Sequence, residues 1–260
     1  MAAPALRFRE RAIVDAIRRE ARPLTGDVHD YDALLARIGD ARIVVLGEAS
    51  HGTHEFVRER ARITKRLICE RGFTAIAIDG DCADAQRVDR FIRGTRTDRD
   101  AEQALRGFKR VPWRSAEMLE LVDWLRMHNE GLHPSARKVG FYGLDGSNVA
   151  SWNLRERHLA DMLDQLLADL DRHGGTARVI VWAQEINLGQ LMRERHADEV
   201  VSVGFTTYKR ASARSSEALL HSTGIPAFLL CPPPAGDIGE ARQFDALVHI
   251  DRSRAVEPLD

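Results

Sequence analysis

RIVVLGEASHGTHEFVRERARITKRLI, residues 42–68, decides the fold class. Its opening RIVVLG is a β-branched apolar run too short for a helix, and the turn that follows carries Glu48 and His51. From about Thr53 the pattern becomes that of a basic amphipathic helix. A strand that delivers an acid and an imidazole into the turn before a helix is one unit of an open α/β sheet. In such sheets reaction sites lie outside the carboxyl ends of the strands.

The same alternation runs outward from this unit. RIVVLG, TAIAID, KVGFYGLD, RVIVWA, VVSVGF, AFLL and ALVHI are short runs rich in Val, Ile and Phe and read as mostly buried strands. FVRERARITKRLICERG, AEMLELVDWLRMHNEG and NLRERHLADMLDQLLADLDRHGG read as helices, and all three end in glycine, as helices with a left-handed cap do. This order predicts an α/β fold, a mostly parallel sheet with helices on both faces, in a single domain over residues 1–260. No repeat or linker divides it, and CPPPAGDIGEARQ (231–243) reads as a Pro- and Gly-rich surface loop.

Composition narrows the function. Thirty-eight Lys plus Arg against 39 Asp plus Glu give a net charge of −1, which supplies no global field toward nucleic acid or an anionic membrane. The three cysteines, Cys69, Cys82 and Cys231, are far apart and in no CxxC spacing, so neither a disulfide framework nor a structural zinc cluster is expected. The first two dozen residues lack an apolar stretch long enough for a signal or a span. The expectation is a cytoplasmic protein without cofactor, acting on a small molecule, with the oligomeric state left open.

His51 is the side chain best matched to taking a proton from water at neutral pH, and Glu48 or Asp79, which closes TAIAID, can orient it. The plainer alternative is a turn histidine that caps a helix. Ser50 is not in a GxSxG elbow and is the chain neighbour of His51, so a serine mechanism is disfavoured. His51, His54 and Glu55 contain an HxxH without a committed third ligand, and His54 is expected to cap the helix and face solvent. Arg58, Arg60, Arg62, Lys65 and Arg66 read as a solvated helix face, except that Arg60 is placed to turn inward and hold a carboxylate or an oxyanion. Its alternative is an ion pair with Glu55 or Glu59. His158, His196, His221 and His249 show no acidic neighbours in the sequence arranged for chemistry and read as surface or packing residues. Trp113, Trp124, Trp152 and Trp182 are expected to fill the core, with Trp182 near the cleft as the exception to watch.

GEASHGTHEF, GFTAIAIDGDCADAQRVDRFIRG, VGFYGLD, WNLRERH, VGFTTY and HIDRSRAVEPL together resemble the erythromycin esterase-like family, in particular its actinobacterial members. The specific element is GEASHG followed by EF and an arginine. The resemblance implies a hydrolase that opens a carboxylic ester or lactone by histidine-activated water, without a bound metal. It assigns Glu48 and His51 as acid and general base, Arg60 as the arginine of the following helix, and Arg155 in WNLRERH as a second active-site arginine. A cation in the first turn of a long helix is a mild misfit with the helix dipole, which independently points to an assigned partner for Arg155.

The chain departs from the family at two places. Asp79 stands where the family usually has glutamate, withdrawing the carboxylate by roughly one C–C bond, and a displacement of about 1 Å can cost about 100-fold in rate. After VIVWA, the family's His-Asn-x-His is replaced by Gln184, Glu185, Ile186 and Asn187. The chain is also shorter than these relatives between Asp145 and Trp152 and after Leu230, which predicts a shallower cleft. Two function classes follow: an ester hydrolase with His51, Glu48 and Asp79 as catalytic residues and Arg60, Arg155 and Gln184 facing the substrate, or a catalytically inactive small-molecule binding protein. A metal-dependent hydrolase built on His51, Glu48 and Asp79 is a third, weaker alternative.

Overall fold

The computed structural model describes residues 8–48, 52–95, 98–144, 152–183, 187–208, 215–233 and 243–259. Its helices are α1 (Phe8–Glu20), α2 (Asp32–Ile38), α3 (His54–Arg71), α4 (Cys82–Ile92), α5 (Ala101–Leu105), α6 (Ala116–Glu130), α7 (Trp152–Gly174), α8 (Leu188–His196) and α9 (Ser216–His221). The strands are β1 (Arg22–Pro23), β2 (Ile43–Glu48), β3 (Ala75–Ile78), β4 (Gly140–Gly143), β5 (Val179–Ala183), β6 (Val200–Thr207), β7 (Ala227–Leu230) and β8 (Ala246–Ile250).

The eight strands of the described residues form one sheet in the order β1-β7-β8-β6-β2-β5-β3-β4. From β8 to β4 neighbouring strands are parallel, while β7 and β1 join antiparallel at the opposite edge. The expected α/β class therefore holds. Every residue of β2, β3, β5 and β8 is buried, as continuous apolar runs require when helices cover both faces. Val44, Leu46, Ile76, Ile78 and Trp182 pack on one face with α2, α3, α4 and α6. On the other face Val45, Ala77 and Val181 meet α7 and α8, and Phe228, Leu230 and Leu247 meet residues of α1 and α9.

Two of the three glycine ends adopt positive φ: Gly72 is left-handed at φ 66°, and Gly175 follows α7 at φ 77°. Gly131 differs. At φ −78° it is right-handed, its N–H bonding to Met127 O at 3.0 Å, so α6 simply runs out there. Most of the 231–243 loop lies outside the described residues. No helix among the described residues is long and apolar enough to cross a membrane.

The topology locates a crevice. β2 leaves through α3 on one face toward β3, whereas its neighbour β5 leaves through α8 on the other face toward β6. Adjacent strands whose connections depart in opposite directions leave a gap at their carboxyl ends, where open α/β sheets bind ligands.

Candidate functional site

Glu48 is the last residue of β2 and Asp79 follows the last residue of β3, with β5 between them. Two strand spacings of about 4.8 Å each put their backbones about 10 Å apart along the carboxyl edge of the sheet. Both side chains are buried, Glu48 and Asp79 each at 2% exposure. A buried carboxylate is tolerated when a cation answers it, and each of these faces an arginine.

Arg60 reaches Glu48 from the second turn of α3. The helix begins at His54, as the expected start near Thr53 requires, and this turns Arg60 to the sheet. Its Nη1 lies 3.4 Å from Glu48 Oε2 and its Nη2 donates to Ala183 O, the end of β5, at 2.9 Å. The guanidinium also lies 5.4 Å from the ring centre of Phe205 and 5.7 Å from that of Trp182. Burial pushes its pKa below the ordinary value, and the Glu48 charge opposes that shift. Arg60 therefore holds a carboxylate, the inward role expected of it. Glu55 and Glu59, its alternative partners, bond elsewhere: Glu55 accepts from Arg254 N, and Glu59 bonds Tyr31, Arg58 and Arg62.

Arg155 provides the second pair. From the first turn of α7 its Nη2 donates to Asp79 Oδ1 and Oδ2 at 2.9 and 2.8 Å. The dipole misfit at this position thus has a partner. Arg110, which carries no signal in the sequence, comes within 3.8 Å of the same carboxylate, and Trp113 Nε1 donates to Asp79 O at 3.1 Å. Asn187, after β5, donates to Glu156 Oε1 at 2.9 Å, tying the start of α8 to α7. His51, Ser50, Gln184 and Glu185 lie outside the described residues.

The tail clamps the turn that leads into α3. His54 N donates to Arg254 O at 3.0 Å and Val256 N to Gly52 O at 2.9 Å, while Ala116 N donates to Glu257 O at 2.9 Å. His54 itself departs from the solvent-facing expectation: its Nδ1 bonds Glu117, and Arg254 Nη2 approaches its Nε2 at 3.1 Å. Its own carboxylate lies on α6, far along the chain, so local sequence does not reveal it. Among the described residues no group of three or more His, Cys, Asp or Glu is placed to hold a metal ion.

Three of the other histidines sit as surface or packing residues, as expected, and each has a carboxylate neighbour as well. His196 Nε2 bonds Asp164 at 2.6 Å, His221 Nδ1 bonds Asp251, and His249 lies 3.8 Å from Asp251 with its Nδ1 3.1 Å from Thr206 Oγ1. Among the tryptophans, Trp113 and Trp182 are core as expected, and Trp182 gives its N–H to Thr64 Oγ1 at 3.0 Å. Trp124 is only partly buried, and the Trp152 side chain lies outside the described part.

His249 yields a pH prediction. Its side chain is fully buried, and burial pushes its pKa from the ordinary 6.5 down to about 4, against the opposing charge of Asp251. Between these values the unfolded chain binds the proton and the folded one does not, so stability rises with pH there. At about 1.4 kcal/mol per unit, this histidine accounts for about 3 kcal/mol lost progressively as pH falls from 6.5 toward 4. Urea unfolding across that range should show the loss in wild type and a shallower one in His249→Gln. Parallel curves would contradict the assignment.

The profile of the family described as erythromycin esterase matches residues 68–150 and 147–253. This is well over half of the chain, although it starts after the Glu48 turn. Erythromycin esterase type II of Escherichia coli is 32% identical over 116 residues, covering 45% of this chain and 26% of that protein. Erythromycin esterase type I of Escherichia coli is 25% identical over 173 residues, covering 61% of this chain and 40% of that protein. The matched stretches thus span less than half of these relatives. Among solved structures, a Bacillus cereus protein superposes with a TM-score of 0.75 at 17% identity, covering 98% of this chain and 100% of that one. A mutant of the erythromycin esterase EreC in its open conformation gives 0.62 at 13% identity, covering 90% and 96%. These structures share the fold, and the profile match carries the assignment: the chain belongs to the erythromycin esterase family.

Proposed function

We propose that this chain is an ester hydrolase that cleaves a carboxylic ester or lactone of a small molecule with water activated by His51. One observation carries the reading: two carboxylate–arginine pairs, Glu48 with Arg60 and Asp79 with Arg155, are buried at the carboxyl ends of strands beside the topological switch. Buried charges are expensive to keep unless they serve geometry or chemistry, and strand ends are where chemistry sits.

In this mechanism the imidazole takes a proton from water as the oxygen attacks the ester carbonyl. The tetrahedral intermediate collapses with loss of the alkoxide, and the proton held on His51 passes to it. Glu48 orients His51, and Arg60 fixes Glu48 from behind. Arg155, at 14% side-chain exposure, is better placed than Arg60, at 2%, to stabilise the oxyanion directly. Asp79 orients Arg155 and the attacking water. Because each carboxylate already faces a guanidinium, the pair is poorly arranged to ligate one cation, which speaks against the metal-dependent alternative. Residues 1–260 act as one α/β domain, and three free thiols fit a reducing cytoplasm as its location.

The second reading, a binding protein that has lost turnover, is favoured by Gln184, which stands where the family has histidine. Gln184→His separates the two. Steady-state hydrolysis of a panel of activated esters should accelerate by about 100-fold in this variant if the site is hydrolytic and lacks only that imidazole. A wild type and a Gln184→His variant both at the uncatalysed rate would favour the binding protein.

A further inference from the structure

On the outer side of α3 lies a cavity of about 600 Å³ that opens widely to solvent, bounded by the exposed Val28 and by Tyr31 on one side and Trp124 of α6 on the other. Its volume is that of a small-molecule site. Lys65 lies eleven residues, about 16 Å along the helix axis, beyond His54, and the lining of the cavity includes neither Glu48 and Asp79 nor Arg60 and Arg155. The cavity is therefore separate from Glu48 and Asp79, and nothing in the proposed hydrolysis uses it.

Its walls are fixed in advance. Arg62 Nη2 donates to Asp27 O and Arg66 Nη1 to Val28 O, both at 2.8 Å, which pins the segment before α2 onto α3. The charges of both arginines are answered: Arg62 by Glu59 at 3.0 Å, Arg66 by Glu70 at 2.6 Å and Asp32 at 2.7 Å. The Trp124 ring is held by stacking on His128, centroids 5.1 Å apart and planes 19° apart.

Lys65 is the exception. Its ammonium lies 5.5 Å from the centre of the Trp124 ring, and among the described residues no carboxylate comes within ion-pair distance of it. Burial lowers its pKa, with Glu120 opposing from farther away. A partly desolvated cation facing an aromatic ring in a mainly apolar, preformed cavity selects for an apolar body bearing one negative charge. We propose that this cavity is a second ligand site, taking a hydrophobic monoanion of the aryl carboxylate type, its anionic group on Lys65 and its apolar body along Trp124 and Val28.

The test is calorimetric titration of the full chain with 1-naphthoate and with the neutral 1-naphthamide. Wild type should bind one equivalent of naphthoate at least about tenfold more tightly than the amide, since a charge-assisted contact exceeds its neutral counterpart by that order. Lys65→Met, which keeps the apolar stem, should abolish the preference while leaving amide binding and the melting temperature unchanged. Lys65→Gln serves the same comparison if the first variant folds poorly. Equal affinities for the two probes, no binding of naphthoate in the millimolar range, or undiminished naphthoate affinity in both Lys65 variants would overturn the proposal.

Discussion

Arg60→Met should lower stability by about 3–5 kcal/mol, the cost of leaving a buried carboxylate without its cation. Arg60 and Glu48 side chains are each 2% exposed, and their ion pair is accompanied by the Arg60 bond to Ala183 O. Removing the guanidinium takes away the cation that faces the buried Glu48 carboxylate between the ends of β2 and β5. The double variant Glu48→Gln with Arg60→Met removes both charges and should regain most of the loss, because a neutral pair of similar volume can be nearly as stable. Urea unfolding at neutral pH of the four proteins in this cycle measures the coupling. A single-variant loss below about 1 kcal/mol, typical of exposed ion pairs, would show that the pair is solvated and does not organise the strand ends.

This pair also shows where the sequence stops being readable. Glu48 and Asp79 could be chosen from the sequence because each closes a Val- and Ile-rich run, and buried parallel strands write such runs plainly. Helical phase and the family resemblance both single out Arg60 from its basic neighbours, yet its partner on β2 depends on how α3 lies across the sheet. The first-turn position of Arg155 carried a signal, while its partner Asp79 lies 76 residues away in sequence. β1 was missed because two residues, one of them Pro23, leave no pattern, and proline is tolerated only at such a sheet edge. The helix α4 carries a cap signal at Asp81, whose side chain accepts from Ala83 N and Asp84 N. The partners of three histidines are hidden from the sequence for one shared reason. His54, His196 and His221 take carboxylates 63, 32 and 30 residues distant, which no local window contains.

His51→Ala is the decisive variant for His51 as the general base of a hydrolytic site. A positioned general base contributes about 100-fold or more to rate, while a turn imidazole carries little packing energy. Turnover of an activated ester that wild type hydrolyses above background should therefore fall by about 100-fold or more in the variant. Its melting temperature should stay within about 5 °C of wild type, corresponding to about 1–2 kcal/mol for a chain of this size. The same ester rate in wild type and His51→Ala, with both proteins folded, would rule out His51 as the base.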